Sequence, residues 1–101
     1  MTYNLDFHPK ALKEWNDLDA AVRQRLKSKL AERLENPRVE GSRLSGQQDR
    51  YKIKLKRPGI RLVYEVIDDQ LVVAVIVVGK RENNAAYIKA GGRTYAIVKR
   101  P

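Results

Sequence analysis

The chain has 101 residues, with 21 lysines and arginines against 12 acidic residues and a formal charge of +9. That length fits one domain with a modest core, and the charge fits a phosphate-rich partner. The lack of cysteine excludes disulfides, thiol chemistry and zinc–thiolate sites.

Thr2 to Phe7 alternates Tyr3, Leu5 and Phe7 against Asn4 and Asp6, which predicts a short strand. These first residues lack the basic start and apolar run of a signal peptide. His8-Pro9 stops the strand, and Pro9 suits the first turn of a helix. Ala11, Leu12, Trp15 and Leu18 recur at helical spacing, so the first helix should reach about Leu18. Asp19 suits the N-cap of a second helix. Its apolar stripe is Val22, Leu26, Leu30 and Leu34, and its other face carries Arg23, Arg25, Lys27, Lys29 and Arg33. Asn36-Pro37 ends it, leaving a helical hairpin.

Residues 36–49 are polar, hold Gly41 and Gly46, and read as a loop. Strands follow at Arg50–Lys56, Ile60–Ile67 and Leu71–Val78, joined by turns at Arg57-Pro58-Gly59 and Asp68-Asp69-Gln70. The expected class is α+β: an N-terminal strand and a two-helix hairpin packed on an antiparallel sheet of about four strands. The longest apolar run, Leu71 to Val78, is too short to span a bilayer. A cytoplasmic protein with no membrane partner is expected.

The stretch Arg50-Tyr51-Lys52-Ile53-Lys54-Leu55-Lys56 alternates basic and apolar residues. A strand sends successive side chains to opposite faces. Tyr51, Ile53 and Leu55 should enter the core, while Arg50, Lys52, Lys54 and Lys56 form a row of cations. Like charges on one side of a sheet destabilise it, and a nucleic-acid backbone would remove that cost. With Pro58-Gly59 as a two-residue loop, Tyr51 would face Val66, Ile53 would face Tyr64 and Leu55 would face Leu62. Lys52 would then lie opposite Glu65. Leu71–Val78 is apolar on both faces, as central, doubly covered strands are. With the hairpin on one side, the side bearing Lys52, Lys54, Lys56 and Arg61 should be an open basic surface.

His8 is the only histidine, which rules out a two-histidine ribonuclease and a Ser-His-Asp triad. Carboxylates are scattered, whereas a two-metal nuclease needs several that converge. No glycine-rich phosphate loop is present. No metal or other cofactor is therefore expected. Lys52, Lys54, Arg61, Lys80, Arg81 and Tyr87 remain, and such groups can cut RNA, which supplies its own 2′-hydroxyl nucleophile. Arginine can clamp phosphate oxygens through two parallel hydrogen bonds. Lysine serves as a base only when its pKa falls, since at about 10.4 roughly one in two thousand is neutral at pH 7. Neighbouring cations lower it. The same residues could instead be a plain phosphate-binding face.

Trp15 within Leu12-Lys13-Glu14-Trp15, then Asn36-Pro37, Leu44-Ser45-Gly46, Tyr51-Lys52-Ile53-Lys54-Leu55, Gly59-Ile60-Arg61-Leu62-Val63-Tyr64 and Val78-Gly79-Lys80-Arg81 appear in order. They closely resemble the RelE toxins of bacterial type II toxin–antitoxin modules, over about residues 1–90 as a single domain. The resemblance implies an mRNA endonuclease acting in the ribosomal A site of the 70S ribosome. It also implies a RelB-like antitoxin and operator DNA bound only through the antitoxin complex. By position Lys52 and Lys54 match catalytic lysines, with Lys54 the base. Arg61 matches the transition-state clamp, Arg81 the group serving the leaving oxygen, and Tyr87 the aromatic that stacks on the substrate nucleotide. Arg23, Arg25, Lys27, Lys29, Arg33, Arg50, Lys56 and Lys80 would meet ribosomal or messenger RNA.

Strict alternation along the third strand places Arg81 on the helix-covered face, so the resemblance requires Gly79 to break that strand. Residues 91–101 form an atypical tail: Ala90-Gly91-Gly92-Arg93 should break the closing helix of many relatives, and Thr94 to Val98 looks strand-like. A ParE-like gyrase inhibitor, which shares the fold, and a non-catalytic RNA-binding module are the alternatives.

Overall fold

A computed structural model describes residues 2–47, 49–80, 82 and 85–95. Strand β1 (Asn4–Phe7) leads into helices α1 (Pro9–Asn16) and α2 (Ala20–Glu35). Strands β2 (Arg50–Leu55), β3 (Ile60–Ile67) and β4 (Val72–Lys80) follow, and helix α3 (Ala85–Gly91) comes last. The sheet order is β1-β4-β3-β2. β1 joins β4 in parallel while the other neighbours are antiparallel, so the sheet is mixed. β4 is flanked on both sides, as its two apolar faces require.

The helices start where their sequences say. His8 caps α1, its Nδ1 accepting from the Lys10 N–H at 3.1 Å, with Pro9 in the first turn. Asp19 holds the cap position of α2, though its side chain makes no capping hydrogen bond. Val22, Leu26 and Leu30 are buried against Tyr51, Ile53 and Leu62 of the sheet. Each full burial of such an aliphatic side chain contributes about 1.5–3 kcal/mol.

The β2–β3 register differs from expectation by two residues. Tyr51 faces Tyr64, Ile53 faces Leu62, Lys54 faces Arg61 and Leu55 faces Ile60. Pro58-Gly59 does not form a two-residue loop, because primed turns disfavour that pair. The connection is Lys56-Arg57-Pro58-Gly59, with a cis Arg57–Pro58 bond and Gly59 at φ 89°. A shift of two preserves every face assignment, since side chains alternate with period two. It does change the partner of Glu65, which is Arg50 rather than Lys52.

β4 carries the feature that decides the site. Val63 pairs with Val77 but Tyr64 pairs with Val75, so Ile76 is an extra residue in the ladder. Such a bulge reverses which face the rest of the strand presents. Val73, Val75 and Val78 enter the core under the helical hairpin, whereas Ala74, Ile76 and Val77 enter a second core under α3. Gly79 therefore lies on the basic face opposite Arg61, and the strand runs through it to Lys80. The face change expected at Gly79 happens earlier, at Ile76. Arg81 lies outside the described residues.

β1 covers the edge of β4 only as far as Val75. Beyond it side chains replace a strand. Glu14 of α1 accepts the Val78 N–H at 3.1 Å, and Arg93 donates to the Ile76 carbonyl at 2.9 Å. Arg93 also grips both Glu14 oxygens, at 2.8 and 2.9 Å. The Val78 N–H and the Ile76 carbonyl, left bare where β1 ends, are thus satisfied.

The second face is not fully open. Ala86 and Ala90, one turn apart on α3, are buried against Val63, Ile76 and Val77. The closing helix forms despite the glycines and ends at them. The strand-like reading of Thr94 to Val98 fails for Thr94 and Tyr95, which lie in no strand; residues 96–98 are outside the described set.

Candidate functional site

The sheet brings the expected chemistry together. Lys54 on β2 is the direct cross-strand partner of Arg61 on β3, and Arg61 is the partner of Gly79 on β4. Opposed side chains have β-carbons about 5 Å apart, so Lys54 and Arg61 can reach one phosphate together. Lys54 and Lys56 are exposed; Lys52 and Arg61 are half-buried. A hollow of about 150 Å³ is lined by Lys54, Leu55, Lys56, Ile60 and Arg61. Beside it, Lys56, Pro58, Gly59, Ile60, Lys80 and Glu82 line a second hollow.

Gly79, opposite Arg61, lies against α3. A β-carbon there would stand 3.7 Å from that of Ala86. The next residue, Tyr87, lays its ring 4.9 Å from the Arg61 guanidinium and 5.7 Å from the Lys52 ammonium. Cations over an aromatic face are attracted by its quadrupole. Burial pushes the Tyr87 phenol above its ordinary pKa, and the nearby Arg61 charge only partly offsets this. Tyr87 is therefore protonated at neutral pH. Its hydroxyl is buried and has no hydrogen-bond partner among the described residues.

Among the other expected RNA contacts, four arginines make bonds within the fold. Arg50 leaves the cation row: it is buried, pairs with Glu65 at 2.9 Å and donates to carbonyls of the C-terminal segment. Arg33 turns inward, donating to the Tyr64 hydroxyl at 2.8 Å and the Lys52 carbonyl at 3.2 Å. A buried phenol and strand carbonyl needed a donor, and an arginine on the helix flank reaches both. Arg23 closes the end of α1 through the Asn16 and Leu18 carbonyls, and Arg25 reaches the Arg57 carbonyl at 2.7 Å. Lys27 and Lys29 are exposed on α2, across the sheet from Lys54. Lys80 is exposed at the end of β4. Sequence reasoning missed Glu14, Gln47 and Arg93, whose roles depend on a bulge and a helix end that no local pattern announces.

A family model described as the ParE toxin of the type II toxin–antitoxin system parDE matches residues 5–85. The mRNA interferase toxin RelE of Escherichia coli K12 is 56% identical over 90 residues, covering 89% of this chain and 95% of that protein. The mRNA interferase RelE of Shigella flexneri matches to the same extent, 56% over 90 residues. A solved mutant of E. coli toxin RelE in the free state superposes with a TM-score of 0.83 at 54% identity, covering 90% of this chain and 96% of that one. The toxin of the intact E. coli RelBE toxin–antitoxin complex superposes with a TM-score of 0.77 at 57% identity, covering 80% and 99%. By sequence and by fold alike, the chain belongs to the RelE family of type II toxins, within the wider group that includes ParE.

Proposed function

We propose that this chain is the toxin of a RelBE-type pair, an endoribonuclease that cuts mRNA in the A site of a translating ribosome. The observation that carries the reading is the Lys54–Arg61 cross-strand pair, with the Tyr87 ring over Arg61. The RNA supplies the nucleophile. Its 2′-oxygen attacks the adjacent phosphorus as Lys54, in its neutral form, takes the hydroxyl proton. Arg61 grips the phosphate oxygens as negative charge builds, with Lys52 beside it. The bond from phosphorus to the 5′-oxygen breaks, and that leaving oxygen takes up a proton as Arg81 donates to it or stabilises its charge. Tyr87 stacks on the nucleotide. The products are a 2′,3′-cyclic phosphate and a 5′-hydroxyl. The partner is a RelB-like antitoxin, which neutralises the toxin and carries the pair to operator DNA.

The fit to a ParE family model favours a second reading, inhibition of DNA gyrase. One pair of assays separates the two. Primer extension on mRNA from a translating extract should show cuts at A-site codons, and gyrase supercoiling should continue at stoichiometric protein. Blocked supercoiling with intact mRNA would establish the ParE reading instead.

A further inference from the structure

Away from the Lys54–Arg61 pair, a dense polar cluster lies under the C-terminal end of α3. Arg50 is 8% exposed and its guanidinium is engaged on every arm. Its Nε donates to Glu65 at 2.9 Å. Nη1 donates to Gln47 Oε1 at 3.2 Å and to the Ala90 carbonyl, and Nη2 donates to the Arg93 carbonyl at 2.7 Å. Gln47 in turn donates through Nε2 to the Tyr87 carbonyl at 3.1 Å. Two side chains, from β2 and the loop before it, thus hold three carbonyls of α3 and its exit.

A helix's last carbonyls lack intrahelical partners and carry partial negative charge, which a cation stabilises. An arginine fork also fixes geometry, because its donors are rigidly spaced. α3 needs such help. It has 7 residues, too few for stability in isolation, and runs into Gly91-Gly92. Ile88 on its outer side is 73% exposed and adds little packing.

We propose that Arg50, acting with Gln47, is a positioning residue for Tyr87. The clamp pins α3 to the sheet and so keeps the Tyr87 ring over Arg61 and Lys52. The inference rests on the reading above in one respect, that Tyr87 takes part in cutting. Arg50 itself touches no substrate.

The test combines two variants with a mutant cycle. Arg50→Met keeps the stem and removes the donors. Gln47→Ala removes one arm, leaves the Arg50–Glu65 pair in place, and carries the same comparison if Arg50→Met fails to fold. Each is compared with Tyr87→Ala and the Arg50→Met/Tyr87→Ala double variant by single-turnover mRNA cleavage in a translating extract. Amide exchange across 86–91 is read on the free proteins. Arg50→Met should cut about tenfold more slowly, and its 86–91 amides should exchange about tenfold faster. In the Tyr87→Ala background, Arg50→Met should cause no further loss, because the two residues act as a unit. Multiplicative losses, or unchanged exchange across α3, would overturn the assignment. A wild-type protein that cuts no mRNA would sink the nuclease reading, while the exchange data would still decide whether the clamp holds α3.

Discussion

Cation placement, residue by residue, separates chemistry from scaffolding here. Lys54 is exposed on the strand beside Arg61, so its removal should leave the core untouched. Lys54→Ala should change stability by no more than about 0.5 kcal/mol and slow cleavage by about a hundredfold or more, the usual contribution of a positioned acid–base group. Thermal unfolding beside the cleavage assay checks both. Arg33→Ala should do the reverse. It strips the Tyr64 hydroxyl and Lys52 carbonyl of a donor, which costs about 1–3 kcal/mol for groups buried this way. Denaturant midpoints should show that loss.

The sequence made Lys52, Lys54 and Arg61 legible, because strict alternation identifies a face without knowing its partner. It could not separate Arg50 and Arg33 from them. A cation that binds phosphate and one that ties down buried carbonyls look alike until the other strand, loop or helix end is in place. Tyr87 is a candidate by residue type, but its place over Arg61 is not legible, since its neighbour Ala86 packs near Gly79 and no periodicity shows that contact.

On the scale of elements, helix stripes and strand faces were readable and β4's bulge was not. One inserted residue at Ile76 leaves composition and hydropathy unchanged. It still decides that Gly79 faces Arg61. The two-residue register change at β2–β3 was hidden for a related reason: both pairings put apolar against apolar. Glu14 ties down the edge of β4 just past the bulge, which leads to a pH prediction. Burial pushes the Glu14 carboxyl up, but hydrogen bonds from Arg93 and the Val78 N–H, with the Arg93 and Lys89 charges, outweigh it. The net result lies below the usual carboxylate range. A carboxyl whose folded pKa is depressed stabilises fully above its unfolded value of about 4.3 and loses that contribution as pH falls. Wild type should therefore exceed Glu14→Gln in stability at pH 7, and the gap should narrow from about pH 5 downward. A gap that stays constant from pH 7 to pH 3 would contradict the assignment. The helical hairpin gives a blunter test, since Leu26→Ala under α2 should cost about 2–5 kcal/mol in urea unfolding.

For the molecule as a whole, the +9 charge is spread over both layers. Lys54, Lys56 and Arg61 lie on one face of the sheet, while Lys27 and Lys29 lie on the helical layer opposite. A small substrate would touch one face, whereas a ribosome can contact both. Replacing Lys27 and Lys29 by glutamate should weaken binding to 70S particles and lower its salt dependence, leaving the cutting face intact. The proposed site offers one aromatic, Tyr87, among its described residues, so positioning by the ribosome should supply much of the rate through orientation. Naked mRNA should be cut far more slowly than translated mRNA.

The most direct measurement is the end chemistry and rate of mRNA cleavage in a translating extract, for wild type against Lys54→Ala and Arg61→Ala. Wild type should yield 2′,3′-cyclic phosphate ends at A-site codons, and each folded variant should be slower by about a hundredfold or more. Variants that fold normally and cut at the wild-type rate would show that the Lys54–Arg61 pair is not where RNA is broken.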